Sequence, residues 1–138
     1  MNYLNHEIEN KLKNAGAAFV CFVDASQLAN AQNRGLPNAI LIGLTINPAY
    51  IKYVFDNPDY IPTHADEYVQ TENRAGEITD AIAKLLVDKG YKAISQSDAG
   101  LLAEGVFNFE TKESVLPHKT VALLSGLGWI GKNNLFIT

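Results

Sequence analysis

The chain has 138 residues, 47% of them hydrophobic and 19% charged with a single cysteine, which excludes disordered, fibrous and disulfide-stapled classes. Its formal net charge of -4 lacks the basic excess of a domain that grips phosphate backbones, so nucleic acid is not an expected partner. No apolar run approaches the length of a membrane span and the opening MNYLNHE has neither a basic nor an apolar leader region, so no membrane is expected and the expected compartment is the cytoplasm.

Residues 1–138 fit one domain, large enough to bury roughly two thirds of its unfolded surface. Leu4, Ile8 and Leu12 recur every four residues among Glu7, Glu9, Lys11 and Lys13, which predicts an amphipathic helix that Gly16 ends. Residues 17–24 and 39–46 are apolar runs that predict two buried strands, and Cys21 in the first of them packs as a small hydrophobe. The polar link at 26–34 allows a helical turn starting at Ser26.

Asn47-Pro48 opens a short helix carrying Tyr50, Ile51, Val54 and Phe55, and Asn57-Pro58 closes it. Thr63 followed by Asp66 resembles a capping pair, and Ile78, Ile82, Leu85 and Leu86 give a stripe, so residues 63–89 are expected to form one long helix ending at Lys89-Gly90. A third strand is expected at 91–94, then a loop-rich passage at 95–114 long enough to suggest a ligand-facing loop. Residues 116–124 read as a buried helix with Pro117 in its first turn, and 134–138 as a strand. This alternation predicts an α/β or α+β fold, one sheet covered by helices.

The chemically loaded stretch lies at 116–138, LPHKTVALLSGLGWIGKNNLFIT, where Gly126, Gly128 and Gly131 flank the only tryptophan, Trp129, with Ile130 and Lys132. Gly126 to Gly131 match the dinucleotide pattern G-x-G-x-x-G, but that motif should follow a strand and open a helix, and here the order is reversed. The same residues nearly spell a phosphate loop, with Asn133 standing where a hydroxyl would hold magnesium. A tight helix-to-strand turn with Trp129 plugging the core explains the glycines without any ligand. Against that simple reading, His118, Lys119 and Lys132 place three donors around the turn, with Trp129 as an apolar wall, a mix suited to a large, flat, partly anionic cofactor.

GLGWIGK at 126–132 followed by an apolar strand, with residues 117–122 upstream, resembles the corrinoid-binding domain of the epoxyqueuosine reductase-like iron-sulfur proteins and, more distantly, the reductive dehalogenases. Weaker counterparts lie at 37–40, 67–73 and 89–93. The resemblance implies a nitroreductase-like domain that binds cobalamin, contacted here by His118, Lys119, Gly126, Gly128, Trp129, Ile130, Gly131 and Lys132. His118 stands as a candidate lower ligand to cobalt or donor to a corrin amide, with packing on its own helix as the plainer alternative.

The family also carries two [4Fe-4S] clusters on a ferredoxin-like module that follows this domain. The chain is therefore expected to be the N-terminal part of a longer protein, with that C-terminal module as its partner, because one cysteine cannot supply the C-x2-C-x2-C-x3-C-P ligands. The family's acid in an Asp-Ser-Ala-Pro-like segment has no counterpart before Pro117, where Glu113-Ser114-Val115-Leu116 stands, so no catalytic acid and no protein metal ligand is assigned. Asp98 and Glu113 are expected to be exposed loop carboxylates. The expected function is the cobalamin-binding half of a [4Fe-4S]-dependent oxidoreductase. Two alternatives stand beside it: a docking module that pairs through the strand at 134–138 or self-associates, and a small flavin or nucleotide binder.

Overall fold

Ile8 and Leu12 bury one face of helix α1 (Tyr3–Asn14) in the computed structural model, which describes residues 2–108, 110, 111 and 113–138. The Asn2 side chain accepts the Asn5 amide at 2.8 Å and starts the helix, while Gly16, at φ +107°, turns the chain away after it. Strand β1 (Phe19–Asp24) then pairs antiparallel with β2 (Asn38–Gly43), Phe19 opposite Gly43 and Asp24 opposite Asn38. Successive side chains of a strand point to opposite faces. One face, Val20, Phe22, Ile40 and Ile42, packs on the cluster of Ile8, Leu12, Ala17 and Ile78. The other, Cys21, Val23, Ala39 and Leu41, packs on Leu116 and Val121. Burial on both faces explains why the two strands are continuous apolar runs rather than alternating ones.

The link between these strands turns at Ser26-Gln27, where the Leu28 amide donates to the Ala25 carbonyl at 3.1 Å, and then holds one short helix, α2 (Asn30–Asn33). Helix α3 (Pro48–Asp56) follows with the Asn47 side chain capping the Ala49 amide at 2.9 Å and Pro48 at its first position. Helix α4 (Glu67–Asp88) starts at Asp66 rather than Thr63, because the Asp66 carboxylate takes the Val69 amide at 3.1 Å while Thr63 closes only a small turn on Ala65. Ile78 is buried against α1, with Ile82 and Leu86 on the same stripe, and Gly90 ends the helix at φ +90°.

Residues 91–94 form no strand, since an apolar run becomes one only where a neighbouring edge can pair with it. The passage expected to be loop-rich contains helix α5 (Asp98–Glu104), capped by Ser97, and the short pair β3 (Phe107–Asn108) and β4 (Glu113–Ser114). Phe109, part of that expectation, lies outside the described residues. Helix α6 (His118–Leu124) comes next, with Pro117 as its N-cap and not inside its first turn, and the chain ends in β5 (Trp129–Ile130) paired antiparallel with β6 (Phe136–Ile137).

The fold is therefore of mixed, α+β type. Where the sequence points to one sheet, the strands among the described residues form three separate antiparallel pairs, each closed within its own hairpin. Strands that follow one another in the chain pair with each other, and among the described residues no parallel crossover links one pair to another.

Candidate functional site

Helix α6 organises the region to which the sequence points. Val121 and Ala122 are buried, with Val121 against Val23 of the central hairpin, and that leaves the first turn of the helix at the surface. His118 and Lys119 sit there and reach in opposite directions. The Nε2–H of His118 donates to the Gln96 carbonyl at 3.1 Å, and the Lys119 ammonium donates to the Asn134 carbonyl. Two successive side chains thus tie the start of α6 to the segment before α5 on one side and to the terminal hairpin on the other.

The three glycines divide by what surrounds them. A Cβ at Gly128 would stand 1.9 Å from the Ile137 carbonyl oxygen, and one at Gly131 would stand 2.6 Å from the Ile137 side chain. Both positions are glycine because strand β6 passes against them. Gly126, at φ +73°, ends α6 in the left-handed region and has open space where a Cβ would be. The expectation that all three glycines admit a ligand is thereby narrowed: at Gly128 and Gly131 the close visitor is the chain itself. The helix-before-strand order also means that these glycines do not open a helix, the arrangement a pyrophosphate needs.

Trp129 does not plug the core. It is 57% exposed, Leu127 and Lys132 on the same stretch are exposed too, and Ile130 is half-buried. An unburied tryptophan is a large apolar surface left in water, one of the observations that distinguish a contact surface from ordinary exterior. Leu123, Leu135 and Ile137 extend the exposed apolar area around the same hairpin.

Gln96 was not singled out by sequence, and nothing local marks it. Its side-chain Oε1 is a buried acceptor with no hydrogen-bond partner among the described residues, although its own backbone carbonyl receives His118. Buried acceptors are nearly always satisfied, and an ordered water is the ordinary partner for such an atom. The neighbouring hydroxyls are fully engaged. Ser97 Oγ donates to Asp80 at 2.5 Å and accepts the Gly100 amide at 3.0 Å, and Ser95 Oγ donates to Thr79 at 3.1 Å. No hydroxyl of this group bonds to a histidine, so the arrangement caps α5 and does not activate a nucleophile.

A second polar centre was missed because its members lie far apart in sequence. Asp66 is 4% exposed and accepts the hydroxyls of Tyr50 and Tyr60, each at 2.7 Å. Burial alone would raise its pKa, but the two hydroxyls and the Val69 and Tyr68 amides hold the carboxyl below its usual range. The same hydrogen bond, with burial and the nearby charge, pushes the Tyr50 phenol up to about 12. Both tyrosines therefore stay protonated and act as donors that pin α3 and the loop after it to the start of α4.

Asp98 and Glu113 are exposed, Asp98 at the first position of α5 and Glu113 accepting the Thr111 hydroxyl at 3.1 Å. Among the described residues no group of three His, Cys, Asp or Glu side chains is placed to hold a metal ion, and no helix is long and apolar enough to cross a membrane. Comparison with protein-family models, curated proteins and solved structures finds no match for this chain.

Proposed function

We propose that this chain is the corrinoid-binding half of a two-part reductase, and that the turn after α6 is where it meets the cofactor. The observation that carries the reading is Trp129, 57% exposed on β5, with an exposed lysine, Lys132, in the turn of the same hairpin. Trp129, Lys132 and the open flank of Gly126 fit a flat, partly anionic ligand lying on the surface. His118, Lys119, Gly128 and Gly131 serve the fold by bonding or clearing the chain's own backbone, so they position this surface from beneath. Bound cobalamin supplies a redox-active cobalt; the chain's own task is to bind and orient the ring. The nitroreductase-like architecture, the [4Fe-4S] clusters and the ferredoxin-like module that delivers electrons belong to the same proposal and rest on the resemblance at 126–132.

The test uses the fact that the chain has one tryptophan, so its fluorescence reports this surface alone. Cobalamin should quench Trp129 beyond the inner-filter correction, and equilibrium dialysis should show an affinity that Trp129→Ala weakens at least tenfold. Absence of retained cobalamin, or an affinity indifferent to Trp129→Ala, overturns the reading. A second reading, docking of another polypeptide onto the terminal hairpin, is favoured by the exposed Leu123, Leu127, Leu135 and Ile137. It predicts association that cobalamin does not alter.

A further inference from the structure

The chain exposes 9519 Å² of surface, against roughly 7,100 Å² for a compact monomer of its 15.1 kDa mass. The excess, roughly 2,400 Å², is larger than the about 800 Å² that each partner loses in a standard-size protein interface. Part of that excess lies at the centre of the molecule. The β1–β2 hairpin is covered by helices on both faces, yet it is only two strands wide, and its apolar residues Val20, Phe22, Ile40, Leu41 and Ile42 stop at half-burial.

The two open edges of this hairpin differ. That of β1 ends in Asp24 and lies on the strand next to α1. That of β2 lacks charge along its length: residues 35–51 contain no charged side chain, and Pro37 guards only the start of the strand. Its backbone register is also fixed. The Ala25 amide donates to the Pro37 carbonyl at 2.8 Å and the Ala18 amide to the Gly43 carbonyl at 2.8 Å, so these carbonyls point toward β1. By antiparallel alternation, the N–H and C=O groups of Asn38, Ile40 and Ile42 point outward from β2.

We propose that the outer edge of β2 pairs antiparallel with the same edge of a second copy of this chain, joining two β1–β2 hairpins into one four-stranded sheet. A two-fold axis through Leu41 sets Ile40 of one copy opposite Ile42 of the other, both with outward-facing backbone groups, as a hydrogen-bonded pair. Leu41 meets Leu41 as a non-hydrogen-bonded pair, with Cα atoms about 4.5 Å apart. The faces agree as well. Ile40 and Ile42, which face α1 and α4, continue that apolar layer into the second copy, and Leu41 continues the layer under α6. No charge opposes another across the central pairs, since Asn38–Gly43 carries none.

The experiment combines sedimentation analysis of the wild-type chain at micromolar concentrations with disulfide trapping. The expected mass is twice 15.1 kDa. In a Cys21→Ala background, Leu41→Cys should give a disulfide-linked dimer on oxidation, while Ala103→Cys, exposed on α5, should not. A monomer at every concentration overturns the proposal. So does a dimer that Leu41→Cys fails to trap, which places the contact elsewhere, on the terminal hairpin or another surface. Should Leu41→Cys lose its helical circular dichroism, the double variant Asn38→Lys/Thr45→Lys decides instead. Both positions are exposed, so the fold is kept, and the two lysines put charge at both ends of the joined edges, one position out of register with each other, a device that blunts strand pairing; dimer affinity should fall at least tenfold, and an unchanged affinity overturns the edge assignment.

Discussion

Hairpins β1–β2 and β5–β6 both pack on α6, yet the first pairs six residues per strand between two apolar layers while the second pairs two and leaves its tryptophan in water. In the first, register is specified by which side chains face which cluster, and a slip of one residue would turn Val23 and Leu41 out of the core. In the second, register is specified by clearance, with strand β6 lying where only glycine leaves room. Side-chain burial therefore holds one hairpin, and the absence of side chains permits the other. The contrast separates a hairpin held by side-chain burial from one that leaves apolar side chains in water.

The largest way to break this contrast is at Leu12, which is 1% exposed and the bulkiest fully buried side chain of the first layer. Leu12→Ala should lower the unfolding free energy by about 2–5 kcal/mol in urea melts followed by circular dichroism. A loss below about 1 kcal/mol would show that α1 is an accessory to the central hairpin and not its floor. Gly128→Val should act locally. The added side chain meets the Ile137 carbonyl, so residues 129–138 should become cleavable in limited proteolysis and the near-ultraviolet dichroism of Trp129 should fade. The urea midpoint of the helical signal should barely move, because the terminal hairpin is the less stable unit. A common shift of both signals would merge the two hairpins into one cooperative body. Loss of cobalamin affinity in that variant, where it occurs, then reports collapse of the hairpin and not a missing ligand contact.

The smallest effect lies at the polar tie of α3, which has neither layer nor glycine clearance and hangs on Asp66. The carboxyl pKa is lower folded than unfolded, so its contribution is present above the unfolded value of about 3.9 and is lost as pH falls through the folded value. The tyrosines act in the opposite sense. Tyr50, raised to about 12, contributes fully below its unfolded value of about 10, and that contribution is lost as pH rises from there through the folded one. Asp66→Asn should flatten both the acid limb and the alkaline limb of a stability profile measured by thermal melts. An unchanged profile would mean that the tie contributes nothing to folding.

Periodicity located α1, both central strands, α3 and the end of α4, because each depends on side chains close together in sequence. It misplaced the start of α4, since Asp66 caps the Val69 amide three residues on, and the hydroxyls sixteen and six residues upstream that also bind its carboxylate belong to no local pattern. It gave residues 91–94 a strand because an apolar run carries no information about whether an edge is free to receive it. At the candidate site close approach holds at Gly128 and Gly131 but not at Gly126, and the spacing does not say what approaches. Ile137 fills the space at Gly128 and Gly131, and a glycine pattern cannot tell a ligand from the next strand of the same hairpin. Gln96 was invisible for the simplest reason: burial of one oxygen without a donor is a property of packing alone.

Arg74 donates to the Ala15 carbonyl at 3.1 Å across 59 positions of sequence, where α4 closes over the end of α1. On a ribosome adding about 5–20 residues per second, that separation is a wait of roughly 3–12 seconds. Throughout it Leu4, Ile8 and Leu12 have been synthesised while Ile78, their cover, has not. Helix α1 can therefore rest only on the β1–β2 hairpin until α4 is made, a half-covered layer for the whole of that interval.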